Sequence, residues 1–419
     1  MPSVSDSLRR TRIQWQLARR LLAERGVAGV LSRVRQRAAG ERIVRPLDAL
    51  DFIRSRPVGR AEDVVRAEPR SIHWVVPPFE RGSGGHTTIF RLVKRLERAG
   101  ARNTIVVQDG HYFGDPSYFA GVIRDHFVPL DARVVTAMDD APPAEVTVAT
   151  SWLTAYRVRD FLPTRHRAYL VQDFEPWFYP VGSYHVLAEA TYRMGFVGIT
   201  AGTWLRDTLR ERYGMEAHAF GFSFDRDVYQ PPPSRPQQAN TVFFYARPVT
   251  ERRAFELGLM VLREVVRRRP GTRVVFAGGD LSGYDIPFPH ESAGVVSVAE
   301  LARLYGESDV ALVFSLTNAS LIPLETMACG TVVVSNDGPS VEWLLPRDCA
   351  LLVPPTLEAM TDAVTRVLDD PVLRAGLRER GLAFARATSW DTEADRVAAV
   401  FEDLLGRGAS VPATPDAAR

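Results

Sequence analysis

Glu325 lies one turn inside a short helical stretch that follows a buried apolar strand, within residues 312–334, LVFSLTNASLIPLETMACGTVVV. The strand ends in a polar turn. The helix starts at Pro323, Met327-Ala328-Cys329-Gly330 closes it, and a second apolar strand follows over 331–335. A helix that opens at the carboxyl end of a strand presents free backbone N–H groups and the positive end of its dipole. Such a place seats a phosphate, and a carboxylate one turn further in can accept two hydroxyls of a ribose. Upstream, Arg247 follows an apolar strand over 241–246, and Arg252-Arg253 stand just before a helix around 255–267. An arginine at a strand end and another at the next helix start can point into one cleft, where they would neutralise a departing diphosphate. The plainer alternative for Arg252-Arg253 is a solvated helix start.

These groups need a scaffold, and length and composition bound it. A chain of 419 residues is too long for one ordinary core and suggests two domains with extensions. The formal net charge of +2 argues against a general nucleic-acid binder. Lys94 is the single lysine among 52 basic residues, so phosphate contacts fall to arginine forks and backbone N–H groups. No Gly-Lys-Ser/Thr string occurs, which excludes a Walker A loop. Cys329 and Cys349 make no disulfide framework or metal spacing. No signal peptide is visible and no apolar run reaches the roughly 18 residues of a spanning helix, so a cytoplasmic protein is expected.

Charge balance fails at one place. Between Leu8 and Arg37 nine arginines face one acidic residue, Glu24, with Leu17, Leu21, Leu31 and Val34 near helical spacing. A basic amphipathic helix reads as a membrane-surface element, here at the inner face of the cell membrane. The alternative is a helix packed on the body with its arginines in water.

Residues 1–70 read as a helical extension. From 71 to 230 short β-rich runs (72–76, 104–108, 133–137, 146–149, 168–172, 197–201) alternate with helical stretches, as buried parallel strands of a doubly wound sheet do. Residues 231–240 carry a proline-rich linker. A second series over 241–385 has strands at 241–246, 273–277, 310–314, 331–335 and 350–353. A last helix is expected over 386–405, with a small polar tail over 406–419. The fold class is therefore α/β, two Rossmann-like domains facing a cleft, with ligands outside the carboxyl ends of the strands.

In the first half the strand at 72–76 runs into PPFERGSGGH. Gly84 and Gly85 let backbone approach a ligand closely, but the loop is no dinucleotide fingerprint, since Thr87 stands where a third glycine would be. His86 either caps the next helix or faces an acceptor hydroxyl. Further on, YLVQDFEPWFYPVG (169–182) holds five aromatics with Asp173 and Glu175. Aromatic faces beside carboxylates suit a pyranose; the alternative is a packed loop. The string Asp225-Arg226-Asp227 resembles a metal-binding DxD, yet it sits just before the hinge, and no metal site is expected there.

The segment around Glu325 resembles the donor-sugar signature of retaining GT-B glycosyltransferases, in particular glycosyltransferase family 4. Taken together, WVVPPFERGSGGHTTIFRLVKRL, QDFEPWFYPVGS and ARPVTERRAFELG are similar to the rhamnosyltransferases of the rhamnan-synthesis F type, over roughly residues 71–390. The resemblance implies a metal-independent transferase with no cofactor, using dTDP-β-L-rhamnose as donor and extending a bacterial surface polysaccharide or lipid-linked saccharide. It implies that Arg247 and Arg252 or Arg253 hold the diphosphate, and that Glu325 holds the ribose. Gly84, Gly85 and His86 would wall the reacting centre. Family members commonly carry a second glutamate eight positions before Glu325; here that position is Thr317, with Asn318 beside it. Backbone around Ser320 and Leu321 would still hold the diphosphate, and the apolar Leu321-Ile322-Pro323 would suit a 6-deoxy sugar. The competing expectations are a family 4 enzyme using a UDP- or GDP-sugar, a GT-B sugar-nucleotide epimerase, and an inert glycan-binding scaffold.

Overall fold

The computed structural model describes residues 48–79, 82–234 and 240–407. Residues 55–280 with 286–407 form one compact unit. The described parts of a second, small unit are 48–54 and 281–285, with a 3-10 turn at Asp48–Ile53 and a bond from Tyr284 N–H to the Leu281 carbonyl. The arginine-rich stretch over 8–37, the linker residues 235–239 and the tail beyond 407 lie outside the described residues.

Runs rich in valine and isoleucine make the strands, because branched side chains pack well on a pleated surface covered on both faces. The first sheet contains β1 (Ser71–Val76), β2 (Arg102–Val107), β3 (Arg133–Val135), β4 (Ala144–Ala149), β5 (Thr164–Val171), β6 (Val197–Ala201) and β7 (Ala217–Phe220). Its order is β3-β2-β1-β4-β5-β6-β7, and every pairing is parallel. The crossings run through α1 (Gly84–Arg98), α2 (Pro116–His126), α3 (Trp152–Asp160), α4 (Ser183–Ala190) and α5 (Thr203–Tyr213).

The second sheet contains β8 (Thr241–Tyr245), β9 (Arg273–Ala277), β10 (Glu291–Ser292), β11 (Val310–Val313), β12 (Val332–Asn336) and β13 (Leu351–Val353), ordered β10-β9-β8-β11-β12-β13 and again parallel. With it go α6 (Phe255–Arg268), α7 (Val298–Glu307), α8 (Ile322–Ala328), α9 (Pro339–Glu342), α10 (Leu357–Asp369), α11 (Pro371–Ala387) and α12 (Trp390–Gly406). Two strands escape the sequence reading. Ala217-His218-Ala219-Phe220 has no β-branched residue, and β10 is two residues long.

Each sheet reverses its winding once, between β1 and β4 and between β8 and β11. Ligands in such sheets bind at that reversal, outside the carboxyl ends of the strands. The loops that leave there are the glycine-rich stretch after β1, Arg247 after β8 and residues 314–321 after β11.

The final helix, α12, packs on the first sheet rather than the second. Phe401 meets Trp74 at 5.5 Å, Arg95 bonds Asp395 at 2.7 Å, and Glu393 Oε2 accepts the Gly221 N–H at 2.6 Å. The chain thus crosses between lobes twice, and Arg226 ties the crossings by donating to the Arg386 and Thr388 carbonyls at 2.7 and 2.6 Å.

One glycine is dictated by the contact between lobes. Gly202, just after β6, has φ +97°, and a Cβ there would lie 2.4 Å from the Trp343 ring. Gly202→Ala therefore combines a left-handed backbone with a hard overlap, and should lower stability by about 3 kcal/mol. Thermal unfolding checks this: an unchanged melting temperature would mean that the Trp343 contact is not part of the fold in solution.

Candidate functional site

In the second lobe, β8 delivers Arg247 and the following 3-10 turn (Glu251–Arg253) delivers two more guanidinium groups. Arg253 is buried: its Nη1 donates to Ser315 Oγ at 3.0 Å and to the Phe314 and Asn318 carbonyls at 3.3 and 3.4 Å. Burial lowers its pKa to about 10, with the Asp173 carboxylate acting in the opposite direction. Arg253 therefore braces the loop after β11, while Arg252 and Arg247 are half-buried beside it. Arg252 Nε lies 3.3 Å from Asp173 Oδ2, and its guanidinium covers the Phe178 ring at 4.2 Å from the centroid. Arg247 extends over Tyr245 at 6.0 Å.

The loop after β11 carries the residues predicted to meet donor sugar and diphosphate, and the structure sorts them. Thr317 Oγ1 and Ser320 Oγ are buried; Ser320 Oγ has no hydrogen-bond partner among the described residues, and Thr317 Oγ1 lies beside the Asp173 carboxylate. Orphaned buried hydroxyls are rare enough to mark where a ligand is expected. Leu321 packs partly into the core at the start of α8. Asn318 is fully committed to the protein: its Nδ2 donates to the Gln172 and Ala201 carbonyls at 2.9 Å each, and its Oδ1 accepts from Trp343 Nε1 at 2.7 Å. These three bonds leave one acceptor position on Oδ1, but the side chain is fully buried, so Asn318 joins the lobes instead.

Glu325 leaves α8 toward Tyr229 of the hinge and Tyr305 of α7, whose hydroxyl lies 3.5 Å from its Oε2. Burial, and then the charge of Asp225, push its carboxyl up to about 7, and the two tyrosines act against that. Asp225 itself pairs with Arg91 at 2.6 Å. The DxD string thus braces the crossing between lobes, and no cluster of metal-ligating side chains occurs among the described residues. Tyr229, Tyr305 and Arg91 were not legible as site residues, since nothing in their local sequence signals a partner so distant in the chain.

In the first lobe, Gly84 faces open space, and Gly85 lies against Gln172, whose Nε2 donates to its carbonyl at 3.1 Å. His86 lies in the first turn of α1. Its ring packs on Phe79 at 4.9 Å, Ser83 Oγ meets Nδ1 at 2.7 Å, and burial lowers its pKa to about 4. The neutral imidazole thus packs in an aromatic cluster, with its Nε2 buried and unbonded among the described residues.

The two carboxylates after β5 separate in role. Asp173 reaches the cleft beside Arg252; burial raises its pKa, and Arg252 and Arg253 counter this. Glu175 is turned inward: Oε2 accepts the Trp152 N–H at the start of α3 at 2.8 Å, and Oε1 accepts the Tyr169 hydroxyl at 2.7 Å. It holds the loop and cannot orient a sugar. Burial raises its carboxyl to about 7.

Two facing parallel sheets with loops converging from both reversals define the GT-B glycosyltransferase fold. Sucrose-phosphate synthase from Thermosynechococcus elongatus superposes with TM-score 0.62 at 15% identity, over 80% of this chain and 98% of that one. HepE from Anabaena, in complex with UDP-glucose, does so with TM-score 0.60 at 13% identity, over 80% and 99%. Within this fold, residues 240–365 match the family described as WsaF, C-terminal domain. The chain is 33% identical over 405 residues to the O-antigen biosynthesis protein RfbC of Myxococcus xanthus, covering 91% of this chain and 31% of that protein. It is 28% identical over 217 residues to a phosphatidyl-myo-inositol mannosyltransferase of Mycobacterium tuberculosis, covering 47% of this chain and 54% of that protein. The chain thus spans about a third of the first relative's length and about half of the second's.

Glu175 gives a test that needs no substrate. Its folded pKa stands above the ordinary glutamate value, so its contribution to stability is fully present below pH 4.5 and is lost as pH rises through about 7. Glu175→Gln keeps an acceptor for Trp152 but does not titrate. Between pH 5 and 8 its melting temperature should fall less than that of the unmodified protein. Glu175→Ala orphans both donors and should cost on the order of 3 kcal/mol. Parallel pH–stability curves for the unmodified protein and Glu175→Gln would remove the carboxyl from this role.

Proposed function

We propose that the chain is a retaining, metal-independent glycosyltransferase of bacterial surface-polysaccharide synthesis, moving L-rhamnose from dTDP-β-L-rhamnose to a saccharide or lipid-linked saccharide. The observation that carries the reading is the grouping of Arg247 and Arg252 with the Thr317 hydroxyl and the unpaired Ser320 hydroxyl, at the sheet reversals where a ligand is expected. Support for the setting comes from the name of the Myxococcus relative, an O-antigen biosynthesis protein. The rhamnosyl donor rests on the sequence resemblance.

On this reading Arg247 and Arg252 neutralise the diphosphate as the anomeric C–O bond breaks. The acceptor hydroxyl attacks from the face the diphosphate leaves, forming the new glycosidic C–O bond, and its proton passes to the departing phosphate oxygen. The products are dTDP and the extended acceptor with the anomeric configuration kept. Arginines supply the positive charge a metal would otherwise bring, so chelators should not slow turnover. Glu325 accepts the ribose hydroxyls in its ionised form. Thr317 and Ser320 offer hydroxyls to the donor, and Asp173 orients Arg252 or a sugar hydroxyl.

The expected outcome is a loss of roughly 10²–10³ in kcat for Arg247→Ala, and a comparable loss in kcat/KM for Glu325→Ala, with both variants folded. Release of dTDP from dTDP-β-L-rhamnose in the presence of acceptor measures both. Near-normal turnover in either variant would take that residue out of the site. Faster turnover with UDP- or GDP-sugars would keep the class and replace the donor.

A further inference from the structure

The aromatic loop after β5 was read from sequence as one sugar-facing segment, but its rings divide. Tyr169 and Phe174 are buried in the core. Phe178 lies under the Arg252 guanidinium, beside the diphosphate seat. Beyond it Tyr179 stands 6.5 Å from Phe178, and Tyr184, in the first turn of α4, stacks on Tyr179 at 5.4 Å with 28° between planes. Trp152 braces both edge-on, at 5.9 Å from Tyr179 and 6.2 Å from Tyr184. Phe178, Tyr179 and Tyr184 thus form a continuous row of rings, with Trp152 packed against its outer two.

We propose that this row, from Phe178 through Tyr179 to Tyr184, is a subsite for the glycan acceptor, stacking the apolar faces of its neutral sugar rings as the chain leaves the cleft. The proposal rests on the glycosyltransferase reading and specifies the acceptor side of that site. Three features favour a neutral oligosaccharide. Tyr184 is 44% exposed and Val181 in the same loop is 88% exposed, so apolar surface stands open next to the donor cations. No lysine or arginine occurs between residues 174 and 192, so the loop offers no cation for an anionic lipid headgroup. Tyr179 Oη accepts the Trp152 Nε1–H at 3.1 Å, which leaves the phenol proton to donate to a sugar oxygen. The row is also longer than one pyranose, which suits a polymer and not a monosaccharide.

The test is saturation-transfer NMR on the full chain loaded with dTDP, using neutral three- to six-residue oligosaccharides of rhamnose, mannose and glucose, with phosphatidylglycerol vesicles as the competing probe. Saturation should reach the sugar C–H protons, and affinity should rise with oligosaccharide length. Tyr184→Ala should weaken binding by up to about tenfold and Tyr184→Phe should restore it, with dTDP affinity and melting temperature unchanged in both. The proposal is overturned if no oligosaccharide receives saturation, if Tyr184→Ala binds as tightly as the unmodified protein, or if that variant loses vesicle binding instead. Failure of the unmodified protein to bind dTDP would remove the transferase reading. Oligosaccharide binding lost in Tyr184→Ala would still support the row as a glycan site.

Discussion

Everything at the cleft hangs on the side chain of Asn318. It is buried, and its amide makes three bonds, two to the carbonyls that end β5 and β6 and one from the Trp343 indole. Those carbonyls belong to the first lobe and Asn318 to the loop after β11, so one side chain fixes that loop against the opposite sheet. An unpaired amide or carbonyl there would carry the full cost of desolvation, which makes the arrangement close to all-or-none. With Asn318 seated, Arg253 grips the same loop from beneath through Phe314, Ser315 and the Asn318 carbonyl. Ser320 is then left without a partner, and Asp173 meets Arg252 across the cleft with Thr317 beside it.

The electrostatics follow from that closure. Three guanidinium groups and one carboxylate occupy a confined region, and burial works against every charge in it. Arg253 spends its charge on carbonyls and a hydroxyl, and Asp173 offsets part of what remains. The net positive potential falls to Arg247 and Arg252. A diphosphate whose negative charge grows during bond cleavage fits that surplus. At the far end Glu325 has a carboxyl near 7 because it is enclosed with Asp225 nearby, and hydroxyls donated by a ribose would favour its charged form.

Much of the scaffold could be read from the chain. Alternating β-branched runs and helices, a proline-rich break and a second series led directly to two doubly wound sheets. Short elements were lost, as with β7, where alanines and a histidine carry no strand signal. At the site, residue type and local spacing put Arg247, Arg252 and Glu325 at strand ends and helix starts, and the structure has them there. What failed was direction. Glu175 and Asp173 are two residues apart after the same strand, yet one anchors α3 and the other faces the cleft. Asn318 looked like a ligand contact and bonds three protein groups instead, because long-range packing and not local pattern decides which way a side chain turns. The tyrosines around Glu325 come from the hinge and from α7, and only the fold brings them together.

The central claim is that a nucleoside diphosphate sits between Arg247, Arg252 and Glu325. Calorimetric titration with dTDP, UDP and GDP in the absence of metal, at pH 7 in two buffers of different ionisation enthalpy, tests it most directly. The account predicts selective binding of dTDP with release of a fraction of a proton, because the bound ribose draws Glu325 to its ionised form, and no such release in Glu325→Gln. Binding of none of the three nucleotides, or the same proton release in Glu325→Gln, would contradict it.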